Sequence, residues 1–262
     1  MSKLILNRRR LLGLGAAGAS SLILAGCDQF DFLARRDDPT RNFLERANEL
    51  TYAAQRALVP EQALAREFSA SEIRQGQRPN GSTDPRAVAE YARLVETNFA
   101  DYRLNITGLV DKPVSFSLDE LRNMPARSQI TRHDCVEGWS CIGQWTGAPL
   151  GALLALAQPE PDAKYVVFHC ADSLDNNADR YYESCHLREA FHPQTILAYD
   201  LNGAPLDVPH GAPIRVRLER KLGYKHAKYL MAIELVDRLD TIGKGQGGYW
   251  EDHHGYAWHA GI

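Results

Sequence analysis

Long hydrophobic runs, metal-binding cysteine motifs and an excess of positive charge are all missing from this chain of 262 residues. The mildly apolar stretch from Leu11 to Leu24 is rich in Gly and Ala and falls short of the roughly 20 residues that a helix needs to cross a bilayer. Five cysteines are few for a disulfide scaffold. No C-x-x-C or H-E-x-x-H spacing occurs, which denies zinc its usual ligand frames. No G-x-S-x-G elbow supports a Ser-His-Asp hydrolase. Basic residues number 30 against 33 acidic ones, so the chain lacks the positive face that a nucleic-acid partner wants. No repeat or low-complexity tract breaks the chain, and at this length one large domain with its own core is the default.

The N-terminal residues form an address. Lys3, Arg8, Arg9 and Arg10 precede the short apolar run, the pattern of an export signal. The arginine pair followed by Leu11 and Leu12 resembles a twin-arginine signal, and "LAGC" at Leu24 to Cys27 resembles a lipobox. The expectation is a signal over 1–26, a lipidated Cys27, a polar tether over 27–42 and a domain over 43–262. Without the signal the charge is about −7, from 26 basic and 33 acidic residues. The twin-arginine route carries folded proteins, often already loaded with a cofactor. The implied location is the periplasmic face of a membrane.

The elements that follow are mostly strands. Residues 41–58 have apolar positions at helical spacing. Residues 74–85 are loop. Residues 101–125 read as strand, turn, strand and short helix, with Ser117 and Glu120 as a capping box. A helix is expected over 146–157 and a strand over 163–172. Residues 196–206 form a hairpin turning at Asn202-Gly203. Residues 212–220 alternate, with Ile214, Val216 and Leu218 on one face and Arg215, Arg217 and Glu219 on the other. A last strand spans 228–237. No βαβ rhythm repeats, so the fold class is α+β with mixed sheets and short helices.

The stretch "HDCVEGWSCIGQW" (133–145) poses the chemical question. Cys135 sits between Asp134 and Glu137, and nearby carboxylates raise a thiol's pKa. The thiol is therefore inert, paired, or held by something strongly positive. The loop "RLERKLGYKHAKY" (217–229) gathers basic residues around Gly223 in an acidic chain. Such a loop suits an anion, or it is a solvated turn. "VPHGAPIR" (208–215) holds His210 and Arg215 at a loop-to-strand junction, and "RPNGSTDP" (78–85) offers amide hydrogen bonds. His133, Cys135, His169, Cys170, Cys185 and His186 make up a competing zinc set, although the adjacent His-Cys pairs would point to opposite faces of a strand.

Together, "TRHDCVEGWSCIGQWTGAPLGALL", "AKYVVFHCAD", "FHPQTILAYDLNGAPL", "HGAPIRVRLERKLGYKHAKYL" and "IELVD" resemble the sulfite-oxidase-type molybdopterin family, in particular its exported, haem-free bacterial subgroup. The resemblance covers about residues 75 to 255. It implies a sulfite-oxidase-like fold and a molybdenum–molybdopterin cofactor with one pterin and one Mo. Cys135 falls at the position of the metal-ligating cysteine, and a highly charged metal would hold its sulfur as thiolate. By the same resemblance Asn80, Gly81, Cys170, His210, Arg215, Gly223, Tyr224, Lys225 and Lys228 contact the pterin and its phosphate. Cys170 departs from a hydroxyl residue in the relatives. Glu137 is the candidate for tuning the metal or moving protons.

The implied activity is oxygen-atom or proton-coupled electron transfer on a small, sulfoxide-like molecule. Sulfite dehydrogenation is the second reading, and a non-catalytic or zinc-binding lipoprotein the third. The sulfite-binding arginine that follows the ligand cysteine in sulfite oxidases has no counterpart in "CVEGWSC". No C-x-x-C-H haem motif occurs, so electrons must come from a separate protein, a membrane quinol–cytochrome subunit or a cytochrome c. The expected state is a monomer. Pairing among Cys141, Cys170 and Cys185 stays open, and "GKGQGGYWEDHHGYAWHAGI" (243–262) either covers the substrate entrance or packs as a tail.

Overall fold

The structure, a computed structural model, describes residues 38–58, 60, 62–174 and 179–261. The export signal, Cys27 and most of the tether lie outside the described residues. The chain divides into two compact units, Met1–Leu58 and Val59–Ile262.

In the first unit, α1 spans Pro39–Leu58, which matches the helix expected over 41–58. It starts inside the expected tether for a local reason. Proline is preset for the first helical turn and needs no N–H partner there, and the Asp38 Oδ1 accepts from the Thr40 N–H at 2.8 Å. Phe43, Leu44, Leu50 and Leu58 on this helix are exposed. Among the described residues no helix is long and apolar enough to cross a membrane.

The second unit runs from Val59 to Ile262. Its regular elements run α2 (Ala89–Glu96), β1 (Arg103–Gly108), β2 (Val114–Ser117), α3 (Leu118–Asn123), β3 (Arg127–Asp134), β4 (Ser140–Pro149), α4 (Leu150–Ala157), β5 (Tyr165–Cys170), β6 (Tyr182–His186), α5 (Leu187–Ala190), β7 (Ile196–Leu201), β8 (Ala204–Pro205), β9 (Arg215–Arg217), β10 (Leu230–Val236) and α6 (Tyr249–His254). Two sheets result, the first mixed and the second antiparallel. One sheet has the order β2-β1-β10-β5-β6; the other has the order β3-β4-β7-β8, with β9 also on β7. Only β1 and β10 are parallel, with Asn105 opposite Ala232. Alternating Leu104, Ile106, Val166, Phe168, Ile233 and Leu235 bury one face of the first sheet against Leu150, Leu153 and Leu154 of α4.

Several local expectations match in detail. Ser117 caps α3 by accepting from the Glu120 N–H at 3.1 Å, and the Glu120 carboxylate accepts from the Ser117 N–H at 2.7 Å. Asn202 and Gly203, both at positive φ, turn the β7–β8 hairpin. Two expectations need correcting. Residues 146–149 extend β4 and pair with β7, so the helix starts only at Leu150. The alternation over 212–220 does not divide inside from outside, because Arg215, Val216 and Arg217 are all buried. β9 packs on both faces, and its arginines face a polar interior.

Before α2, residues 62–88 run mostly without regular structure. The Phe68 N–H donates to Ile130 O and the Arg74 N–H to Ile142 O, which ties this arm to β3 and β4. It delivers Asn80, Gly81 and Ser82 to the far side of the sheets.

Candidate active site

Cys135 lies in the tight turn between β3 and β4. Its N–H donates to Trp139 O at 2.9 Å, its carbonyl accepts from the Gly138 N–H at 3.0 Å, and Gly138 takes the positive φ of +83° that the turn requires. The thiol is 9% exposed. Burial, more than the Glu137 carboxylate, pushes its pKa up, while backbone N–H groups of the turn and Arg78 pull the other way. Asp134 is engaged elsewhere, with Arg132 Nε at 2.8 Å and the Ser140 hydroxyl at 2.5 Å. Glu137 sits on the half-exposed rim, where its carboxylate accepts from Trp139 Nε1 at 2.8 Å and pairs with Arg78 at 3.5 Å.

The turn opens into a cleft that encloses about 510 Å³, part of it open to solvent. Of the residues expected in the site, Asn80, Gly81, Cys135, Glu137, Gly223, Tyr224 and Lys228 line it together. They come from the arm, the β3–β4 turn and the loop between β9 and β10. Lys228 fastens the arm to this loop, donating to the carbonyls of Asn80 at 2.6 Å, Ser82, and Pro209 at 3.1 Å. Among the described residues no carboxylate lies at ion-pairing distance from it, and burial with Arg215 nearby lowers its pKa to about 7. Glycine at 223 is required by space, since a Cβ there would lie 2.5 Å from His133 Nε2.

Four expected residues stand apart from the lining. Cys170 is buried within the core cluster of the first sheet. His210 bonds Asp207 at 2.5 Å and Gln77 O at 3.0 Å. Arg215 is buried, donates to His210 O at 3.0 Å and His226 O at 3.3 Å, and lies over the Trp145 ring. Its burial beside Arg217 lowers its pKa to about 9. Lys225 is 1% exposed and bridges two carboxylates, Glu183 and Glu251, the latter at 2.6 Å. In this arrangement Lys225 joins elements of the fold.

Other lining residues carried no signal in the sequence: Asp172, Leu174, Tyr181, His226 and Trp250. Trp250 comes from α6, in the segment whose role was open. That segment is fastened by the Lys225–Glu251 pair, by Asp252 accepting from the Lys244 and Gln246 N–H groups, and by Trp258 Nε1 donating to the Ser184 hydroxyl at 2.8 Å. It is therefore both packed tail and cleft wall. His226 is held neutral by burial and by Arg217. Its Nε2 meets Lys221 O at 3.1 Å, and its buried Nδ1 has no hydrogen-bond partner.

These features fit a large anionic ligand with polar edges: a buried cation, an unpartnered imidazole nitrogen, a glycine that clears the floor and a thiol at one end. The zinc set does not assemble. Among the described residues no three His, Cys, Asp or Glu side chains converge as a metal-holding group. Cys135, Cys141, Cys170 and Cys185 are all free and buried.

A family model described as "Oxidoreductase molybdopterin binding domain" matches residues 91–241. A putative protein-methionine-sulfoxide reductase subunit, YedZ1, of Azospira oryzae is 42% identical over 63% of this chain and 58% of its own length. The protein-methionine-sulfoxide reductase catalytic subunit MsrP of Xanthomonas campestris pv. campestris is 37% identical over 60% of this chain and 50% of its own. The chain thus spans about half the length of the curated relatives it matches. Among solved structures, the sulfane dehydrogenase SoxCD from Paracoccus pantotrophus aligns with a TM-score of 0.48 at 21% identity, over 69% of this chain and 46% of that one.

Proposed function

Because this chain belongs to the oxidoreductase molybdopterin-binding domain family, we propose that it is an exported reductase of small sulfoxide-like compounds. The general statement stands on the family: the chain is a molybdopterin-dependent oxidoreductase. The narrower reading rests on the lining of the cleft. Val136, Leu174 and Trp250 give it apolar surface, its ionisable side chains include Glu137 and Asp172, and no arginine is among the described residues that line it. Its cation, Lys228, is already engaged by three carbonyls. With its apolar side chains and the Glu137 carboxylate on the rim, such a wall suits a neutral, polarisable sulfoxide better than a sulfite dianion, which needs a cation of its own.

One pterin with one Mo is the proposed complement. The thiol of Cys135 would ligate the metal. Lys228 and the Gly223–Lys225 turn would hold the phosphate end, and His226 Nδ1 would accept from the pterin edge. When bound, the cofactor supplies two-electron redox chemistry that no protein side chain offers. The chain's own part is to bind, orient and wall off. Trp139 keeps the Glu137 carboxylate on the rim, and the β3–β4 turn holds Cys135 in a fixed, nearly dry position.

Electrons would come from a separate electron-transfer protein, a membrane quinol–cytochrome subunit or a cytochrome c. The twin-arginine and lipobox patterns over 1–27 support a mature protein anchored through Cys27 at the periplasmic face. Turnover with reduced viologen against sulfoxides and N-oxides, run beside sulfite with an electron acceptor, tests the substrate class. Cys135→Ala should abolish reduction with the fold retained, and turnover of sulfite alone would overturn the reading. Cell fractionation tests the anchor: wild type should pellet with membranes and Cys27→Ser should not.

A further inference from the structure

Asp172 is the residue of the cleft that neither the fold nor the cofactor accounts for. It follows β5 and is 3% exposed, yet it lines the same cleft as Cys135. Its Oδ1 is buried without a hydrogen-bond partner. A carboxylate in that state is costly, because desolvation penalises the charge and only its own backbone N–H and nearby cations offset it. Two cations act on it, Lys228 and Arg180. Lys228 Nζ already serves three carbonyls, and Arg180 donates to Ala171 O. The other titratable groups around it are Tyr91, Tyr229, Tyr181 and Cys170. Burial and the neighbouring negative charge drive all four pKa values up, so they stay neutral.

We propose that Asp172 is the proton donor of the cleft, giving its proton to the oxygen that leaves the substrate sulfur. The inference rests on the sulfoxide reading. Reduction of a sulfoxide to a thioether takes two electrons and two protons. The sulfur–oxygen bond breaks, sulfur is reduced, and the oxygen departs as water. The electrons come from the reduced electron-transfer protein, or from a reduced viologen in vitro. Asp172 supplies one proton and solvent at the open side of the cleft the other, and solvent then reprotonates Asp172. Burial against the pull of Lys228 sets the carboxyl at about 7, where a group is both largely protonated and a competent acid near neutrality.

Two measurements on the full chain test this. Infrared pH titration with isotope-labelled aspartate, on cofactor-free and holo protein, should show a protonated carboxyl that ionises near neutrality and is absent from Asp172→Asn. Sulfoxide turnover by the holoenzyme should fall about tenfold per unit above that point. Asp172→Asn should be slower by roughly 10²- to 10⁴-fold at pH 6 and lose the pH limb, while Asp172→Glu, which keeps a carboxyl, should retain a shifted limb. The glutamate variant and the wild-type titration carry the test if the asparagine variant does not fold. An ionised Asp172 at pH 6 in wild type would overturn the proposal. So would Asp172→Asn that has the wild-type profile, or that loses molybdenum and keeps wild-type turnover per bound Mo. Failure of the sulfoxide reading looks different: wild type then reduces no sulfoxide at any pH, and the donor role falls with it.

Discussion

Lys225 and Lys228 sit three residues apart in one loop, and both are buried, yet their surroundings are opposite. Lys225 lies between Glu183 and Glu251, and these pairs hold its ammonium charged to well above the ordinary lysine range. Lys228 donates to three carbonyls and lies over the Tyr229 ring, and its burial lowers its pKa to about 7. The same division runs through β9. Arg217 pairs with the fully buried Glu219 at 2.7 Å, whereas Arg215 meets carbonyls and an indole face. One half of the basic loop is compensated from within and joins the fold together. The other half has carbonyl partners in place of carboxylates, and a ligand's negative charge would favour its protonated form.

The largest effect should come from breaking the compensated half. Lys225→Met leaves two buried carboxylates facing each other and should cost about 3–5 kcal/mol in denaturant unfolding. Adding Glu183→Gln and Glu251→Gln should recover most of that loss. A single variant costing under about 1 kcal/mol would erase the contrast.

Substitution in the uncompensated half should act on cofactor retention instead. Lys228→Met should cost less stability than Lys225→Met and lower molybdenum content, since a charge-assisted contact is worth about 1.5–3 kcal/mol, or roughly 10- to 100-fold in affinity. Arg215→Ala should act in the same direction, through the His210 and His226 carbonyls that it holds. Full metal content in the double variant would show that the loop carries no ligand.

The smallest effect is on pH dependence. Lys228 titrates near 7 in the folded chain against an ordinary 10.5. Between those values the unfolded chain binds the extra proton, so the stability of cofactor-free protein should rise with pH from about 7 to 10.5. The pKa of Lys225 is displaced upward, so its contribution is already complete across that window and is lost only above it. Subtracting the Lys228→Met curve from the wild-type curve isolates the slope, and a flat difference would place Lys228 among the compensated cations.

What was legible in the sequence follows from this division. Cys135, Asn80, Gly81, Gly223, Tyr224 and Lys228 belong to short contiguous motifs whose local turns carry them to one cleft. The capping box at Ser117 and the Asn-Gly hairpin were legible for the same reason, since their physics is confined to a few residues. The ion pairs of Lys225 were not legible, because Glu183 and Glu251 lie far along the chain and only the fold brings them together. The alternation at β9 could not reveal that both of its faces are buried. Asp172, Tyr181, His226 and Trp250 carry no motif. They join the site because β5, β6, the β9–β10 loop and α6 converge there.

The parallel pairing of β1 with β10 has a consequence for how the molecule comes into being. Asn105 lies opposite Ala232, so the middle of the first sheet joins segments made early and late in synthesis. Closing so long a loop carries an entropic penalty that local contacts cannot offset in advance. A nascent chain cannot complete this sheet until β10 has left the ribosome. The residues just ahead of β10, from Gly223 to Lys228, arrive at the same moment and are themselves a wall of the cleft. Sheet closure and pocket formation are therefore one event, and any guest of the pocket has to wait until β10 has been made.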